Sequence, residues 1–278
     1  MSSNELQHCI DEFIRRFVPA IQTAGDYALA IQASIGQREI KQGDAWTSVL
    51  TDADLGVQHF FEAIMLAEFP DWNFFGEEHA MSFNTRFFET QSTTVWLDPV
   101  NGTRMYKDGA DSFDVLLSLT ISGQLAATLS YMPARKRIFG ATRTQGAFTI
   151  DTRSNEKCQL RVQPAPLTLT LYQADHWRDA LHPDIDVVDF VTDYAPDNPA
   201  CCLNNVLTGQ LGGFLFGATP LLDVGATAFT VSQAGGIACL PNGQAFNYFE
   251  RFNGEQPADL LVCANPELAK LVTQSLRD

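Results

Sequence analysis

Three acidic groups in this chain fall where an element of structure would end. Gly76-Glu77-Glu78 follows the strand-like run Trp72–Phe75, and Asp98-Pro99-Val100-Asn101-Gly102-Thr103 follows Val95-Trp96-Leu97. Asp223 stands at the start of an apolar helical stretch. In layered α/β proteins ligands collect at strand ends, where side chains from separate elements can converge. The middle segment carries the most chemistry. A strand end would hold the Asp98 carboxylate rigidly, and Pro99 fixes the backbone angle beside it. Val100 can offer its main-chain carbonyl. Gly102 lets the chain turn tightly, so that the amides of Gly102 and Thr103 can face an anion. Carboxylate and carbonyl oxygens are hard ligands suited to Mg²⁺, an ion usually held by few protein groups together with substrate phosphate. Mg²⁺ beside free amides is phosphoryl-transfer chemistry in outline. Each piece alone has a plainer reading: a solvated acidic pair at Glu77-Glu78, a turn at Asp98-Pro99, and a helix N-cap at Asp223.

The elements that must position these residues can be read from periodicity. Ile10, Phe13, Ile14, Phe17, Val18 and Ile21 recur at three-and-four spacing and predict a first helix, with a bend expected at Pro19. Residues 33–48 are polar, contain Gly36 and Gly43, and read as a mobile loop. A second helix follows, with Leu55, Phe60, Phe61, Ile64 and Met65 on its buried side and Thr51 or Asp52 as its cap. A run of short strands with Gly and Pro turns then predicts an antiparallel meander: Thr93–Leu97, Phe113–Leu119, Ala127–Tyr131, Ile138–Gly140 and Gly146–Phe148. Pro164 and Pro166 mark a boundary near residue 165, giving halves 1–165 and 166–278 that form one compact unit. In the second half Leu167, Leu169 and Leu171 have strand period, Cys202–Leu211 reads as helix, Phe214–Phe216 as strand, and Val224–Ala234 as a helix closed by Gly235-Gly236. Leu260–Cys263 is a short strand, and Pro266 opens a last helix at its first position. This is a layered α/β or α+β pattern.

Composition narrows the function classes. The chain has 278 residues, of which 45% are apolar and 18% charged, with 20 Phe to fill a core. No apolar run approaches the ~20 residues of a membrane helix. Glu5, Asp11 and Glu12 stand where a signal peptide would be basic and then apolar. A soluble, cytoplasmic protein with no membrane partner is expected. The formal net charge is −15, and no basic cluster exceeds Arg135-Lys136-Arg137, which argues against a nucleic-acid polymer as partner. It leaves room for a small phosphorylated substrate, since a local cation or a set of amides can hold a phosphate inside an acidic protein. The six cysteines form no Cys-x-x-Cys pair and no zinc spacing, and read as buried thiols. His79 adjoins Glu78, but nothing suggests a Ser-His-Asp arrangement or a covalent nucleophile.

Taken together and in order, the motifs resemble the inositol monophosphatase family. That family carries Thr-x-x-Asp before a helix, then Gly-Glu-Glu, then Trp-x-x-Asp-Pro-x-Asp-Gly-Thr, then Trp-Asp-x-Ala-Ala with Glu-Ala-Gly-Gly after it. This chain has Thr51-Asp52-Ala53-Asp54, Gly76-Glu77-Glu78, Trp96-Leu97-Asp98-Pro99-Val100-Asn101-Gly102-Thr103, and Leu222-Asp223-Val224-Gly225-Ala226 with Gln233-Ala234-Gly235-Gly236. The resemblance implies an α+β fold, the α/β/α/β/α layered sandwich of the sugar phosphatases, and a homodimer. It implies that Glu77, Asp98 and the Val100 carbonyl hold one Mg²⁺, that Asp98 and Asp223 hold a second with the residue at 101, and that Glu77 contributes to a looser third. Asp54 and Thr103 would orient and deprotonate the attacking water, and the amides of Gly102 and Thr103 would hold the phosphate.

The match departs from the family at Asn101, where the family has a metal-ligating aspartate. Asparagine keeps a carbonyl oxygen but removes one negative charge, so Mg²⁺ should be held less tightly there. Leu222 stands for a tryptophan and Gln233 for a glutamate. Counting back from Asp223, Phe216 and Gly212 stand where inositol-specific members place a hydroxyl-binding glutamate and an aspartate. Buried hydroxyls left without partners are costly, so an apolar Phe216 argues against inositol phosphate and eases a sugar phosphate, nucleotide or aromatic phosphate. Phe216 as plain core is the competing reading. Two functions therefore stand at this point: a Mg²⁺-dependent phosphomonoesterase acting on a small phosphorylated metabolite (a sugar phosphate, an inositol phosphate or a nucleotide), and a catalytically impaired homologue that binds a phosphorylated ligand or a protein partner.

Overall fold

The computed structural model describes residues 3–32, 52–78 and 92–277. The stretch 33–48, Thr51 and His79 lie outside the described residues. Helix α1 (Ser3–Ile31) buries Ile10, Phe13, Phe17 and Ile21 along one face, as their spacing requires. It runs on through Pro19, and the Thr23 hydroxyl donates to the Pro19 carbonyl at 3.0 Å. Helix α2 (Asp52–Glu68) buries Leu55, Phe61, Ile64 and Met65, while Phe60 is half-buried. The two helices meet through aromatic rings: Phe17 lies 6.1 Å from Phe61 and 5.3 Å from Phe69 between centroids.

Strands β1 (Asn73–Gly76), β2 (Thr93–Asn101), β3 (Asp114–Ile121), β4 (Gln124–Met132), β5 (Arg137–Thr142), β6 (Gly146–Asp151) and β7 (Glu156–Gln159) follow one another across a seven-stranded sheet. β1 and β2 are parallel, whereas β2, β3 and β4 form the expected antiparallel meander. Ser122 and Gly123 turn β3 into β4 with φ of 52° and 76°, the positive angles a tight primed hairpin demands. α1 packs on β3 and β4, and α2 on β1 and β2. Every residue of β3 is buried, so its alternation of apolar and polar residues does not mark a solvated face.

A five-stranded sheet has the order β11-β12-β10-β8-β9, built from β8 (Thr168–Tyr172), β9 (Asp186–Asp189), β10 (Gly213–Pro220), β11 (Ile237–Cys239) and β12 (Pro257–Cys263). β8 is parallel to β9 and β10, and β12 is antiparallel to β10 and β11. Short helices α3 (Thr103–Lys107) and α4 (Asn205–Thr208) precede α5 (Leu221–Gln233) and α6 (Pro266–Ser275). Asn265 caps α6 by accepting from the Glu267 and Leu268 amides, with Pro266 at the first position. Two mixed sheets with helices make the α+β class that the sequence implies.

Two elements differ from the sequence reading. The helix expected over Cys202–Leu211 shrinks to α4, preceded by a 3-10 turn at Pro199–Cys201. The buried Asn205 amide donates to the Pro199 carbonyl at 2.6 Å, and Gly209 at φ 78° ends the helix, so polar side-chain bonds replace further turns. Strand β2 also continues past Asp98-Pro99 to Asn101. Of the six thiols, Cys201, Cys202, Cys239 and Cys263 are buried, but Cys158 is exposed and Cys9 half-buried. The chain divides into two compact units, Met1–Phe139 with Ile150–Glu156, and Gly140–Thr149 with Lys157–Asp278. Among the described residues no helix is long and apolar enough to cross a membrane.

Candidate active site

In the first unit, the ends of β1 and β2 bring two of the acidic groups side by side. The parallel register pairs Gly76 with Leu97, and the Glu77 amide donates to the Leu97 carbonyl at 3.1 Å. Glu77 and Asp98 are thus the next residues on neighbouring parallel strands. Asp98 is only 2% exposed, whereas Glu77 is exposed. A carboxylate so withdrawn from water must be compensated by hydrogen bonds or by a cation.

Immediately afterwards β2 bulges. Asp98 pairs with Leu116 and Asn101 with Asp114, so three steps along β2 oppose two along β3. Pro99 sits inside this irregularity, where a missing N–H costs the ladder least, which is how the strand survives it. The Thr103 hydroxyl donates to the Val100 carbonyl at 3.1 Å, closing the turn. Gly102 adopts φ 82° ahead of α3, and a Cβ there would come 2.8 Å from Met105 Cε. The left-handed backbone is what calls for glycine, since the flexible Met105 side chain could move aside.

Helix α2 braces this corner with a polar stripe. Asp54, Gln58 and Glu62 recur every fourth residue on one face and are 2%, 0% and 0% exposed. Gln58 grips the backbone just beyond β1: its Oε1 accepts from the Glu78 amide at 2.9 Å and its Nε2 donates to the Glu78 carbonyl at 3.1 Å. The same Nε2 lies 3.2 Å from Glu62 Oε1. Any Cβ at position 76 would collide with the Gln58 carboxamide, which gives the glycine of Gly76-Glu77-Glu78 its physical reason. Burial, and then the charge of Asp54, push the Tyr106 hydroxyl of α3 well above the usual phenol range. That phenol donates to the Ala28 carbonyl of α1. Gln32 Nε2 donates to the carbonyls of Tyr106 and Ala110 at 3.0 and 3.1 Å, pinning the exit of α3.

Asn101 is tied to the next strand. Its Nδ2 donates to Asp114 Oδ1 at 3.0 Å, and the Ser130 hydroxyl of β4 donates to Asp114 Oδ2. Asp114 is 2% exposed. Neither Asp114 nor Gln58 was found by motif reading. The available signals were a carboxylate at the head of a strand-like run and a glutamine four residues after Asp54.

In the second unit Asp223 is the third residue of α5, and Pro220 occupies the N-cap, so Asp223 does not cap its helix. It is half-buried, and desolvation pushes its carboxyl up to about 7. Phe216 of β10 is buried, stacked 5.2 Å from Phe214 and 6.0 Å edge-on from Tyr172. At Gly212 a Cβ would collide with the Pro166 carbonyl and press on Leu268, so that position has no room for a side chain.

Among the described residues no group of three or more His, Cys, Asp or Glu side chains is gathered as a metal cage. The oxygen set of the first unit is a mixed one. It has two carboxylates on adjacent strands, a main-chain carbonyl at Val100 and a carboxamide at Asn101, all hard donors that fit Mg²⁺ rather than a soft metal.

Comparison with known proteins bears on the family and the fold. The sequence matches the model of the inositol monophosphatase family over residues 12–278. The inositol monophosphatase of Dictyostelium discoideum is 19% identical, with 96% of each chain covered. A solved IMPase from Thermotoga maritima has the same fold at a TM-score of 0.72 and 17% identity, covering 95% of this chain and 98% of its own. An IMPase/NADP phosphatase, complexed with NADP and Ca²⁺, matches at a TM-score of 0.69 and 16% identity, covering 99% and 96%.

Proposed function

This chain belongs to the inositol monophosphatase family and is a phosphoric monoester hydrolase, and from that premise we propose that it releases phosphate from a small metabolite other than inositol phosphate, with Mg²⁺ as cofactor. The observation that carries this reading is the corner where Glu77 and Asp98 end adjacent parallel strands and β2 bulges into Val100-Asn101-Gly102-Thr103.

Glu77, Asp98, the Val100 carbonyl and the Asn101 carboxamide oxygen are the groups that would hold Mg²⁺, and the family resemblance adds Asp223. When bound, Mg²⁺ supplies charge that neutralises the phosphate and leaving oxygens and lowers the pKa of water. The protein's own residues do the rest. Asp54 takes the proton of the attacking water. Thr103 has its hydroxyl proton committed to the Val100 carbonyl, so its oxygen is presented as an acceptor that orients that water. The amides of Gly102 and Thr103 hold the phosphate.

For the substrate, we favour a sugar phosphate or a nucleotide. Phe216 is buried against Phe214 and Tyr172 and brings no hydroxyl acceptor, and Gly212 brings no side chain, so neither position supplies the polar groups that ring hydroxyls of inositol need. The structural neighbour solved with NADP is compatible with a nucleotide. A cytoplasmic homodimer is the assembly we carry from the family resemblance.

Release of inorganic phosphate from a panel of sugar phosphates, nucleotides and inositol phosphate, with Mg²⁺ and with chelator, tests the reading. Mg²⁺-dependent turnover favouring a non-inositol substrate is expected. No Mg²⁺-dependent turnover on any of them would overturn it, and a preference for inositol phosphate would overturn the substrate assignment.

A further inference from the structure

The hydrogen bond between Asn101 and Asp114 has a direction. An ionised carboxylate only accepts, so the Asn101 carboxamide must turn its NH₂ toward Asp114 and its Oδ1 away from it. Ser130 holds the other oxygen of Asp114, and burial at 2% exposure leaves that carboxylate little freedom. The two residues are also cross-strand partners, so the contact follows from the register set by the bulge. We propose that Asp114 is a positioning residue that fixes the Asn101 carboxamide with its oxygen presented as a metal ligand. Asp114 also sets a carboxylate one strand away from position 101, which itself carries no charge.

The inference rests on the reading that Asn101 Oδ1 faces the ion. Residues 101 and 114 form one acid–amide pair, and exchanging the two groups preserves every bond. In N101D/D114N the new amide at 114 donates to the new carboxylate at 101, and its own oxygen accepts from Ser130. Neither single change does this. N101D alone sets two carboxylates face to face at hydrogen-bond distance, and D114N alone removes the charge and lets the carboxamide at 101 turn either way. An N101D variant made by itself therefore misreports what asparagine at 101 costs.

Two measurements on the full chain test this without using turnover: Mn²⁺ binding, followed by loss of the free-ion electron paramagnetic resonance signal, and the melting temperature in chelator. Parent, D114N, N101D and N101D/D114N are compared. D114N is expected to bind Mn²⁺ about 10-fold more weakly, the usual loss when a group orienting a metal ligand is removed. N101D is expected to melt lower than the parent in chelator. The double variant is expected to recover both the parent's melting temperature and its Mn²⁺ affinity to within about 3-fold, a coupling between sites in contact. Mn²⁺ affinity unchanged in D114N, or a double variant whose losses are the sum of the singles, would overturn the proposal. Absence of phosphate release from every variant, with this coupling intact, would instead sink the functional reading alone.

Discussion

Each sheet contains one strand that is interrupted before a helix, and the two interruptions are built from opposite materials. In the first unit β2 shifts register between Asp98 and Asn101, beside Pro99, and the residues around the shift are the buried acids Asp98 and Asp114 and the half-buried carboxamide of Asn101. In the second unit β10 shifts between Phe216 and Thr219, ahead of Pro220, and its surroundings are Phe214, Phe216 and Tyr172. There the backbone is forced as well: Ala218 takes φ 46°, with its amide held by Asp259 Oδ1 at 2.9 Å. The same backbone device, an irregular strand end, re-aims polar groups in one place and packs aromatic rings in the other. Substitutions at the polar end should cost chemistry, and those at the aromatic end should cost stability.

The strongest way to break that contrast is Asp98→Asn. It should lower kcat/KM by about 10³-fold, equivalent to roughly 4 kcal/mol of lost charge stabilisation, with a melting temperature at or above that of the parent. A steady-state assay beside a thermal melt checks it. A variant that simply unfolds would show that Asp98 is structural and dissolve the contrast. Phe216→Glu tests the other end. Burying a carboxylate beside Phe214 and Tyr172 should cost about 3 kcal/mol by urea denaturation, and inositol phosphate hydrolysis should not appear. A stable protein that gains that activity would mean that Phe216 alone excludes inositol.

Gly212→Ala sharpens the comparison with a milder change. The added methyl meets the Pro166 carbonyl, so unfolding free energy should fall by about 2 kcal/mol while the Mg²⁺ dependence of turnover stays as it was. Gln58→Ala is the smallest in stability. Losing its two bonds to the Glu78 backbone should cost about 1 kcal/mol, yet weaken Mg²⁺ by ~10-fold, because the chain beside Glu77 is no longer held. Titration of Mg²⁺ against activity reads that effect. An unchanged Mg²⁺ requirement would place Gln58 among purely structural residues.

Much of this was legible in the sequence because the informative residues are contiguous. Asp98 through Thr103 lie in one segment, and the glycine at 102 flags a tight turn from the sequence itself. What was not legible lies across the fold. Asp114 meets Asn101 only because a bulge adds a residue to β2, and Gln58 meets Glu78 twenty residues on. Local rules also misjudged two boundaries. Pro99 reads as a strand terminator until the bulge accommodates it, and Cys202–Leu211 reads as helix until Asn205 bonds to Pro199. At Phe216 composition alone could not separate core from ligand surface, and it is the fold that buries the ring against Phe214 and Tyr172.

The Asn101–Asp114 bond has a consequence for how such a protein changes over generations. A lineage moving between the two arrangements by single steps must pass either through two facing acids, which repel, or through two amides, which leave the corner short of charge. The amide route keeps the hydrogen bond, because a carboxamide both donates and accepts, so it is the passable one, at a temporary loss of ion affinity. Descendants on either side of that pass should then carry asparagine and aspartate at these two positions as alternatives, rarely the same residue at both.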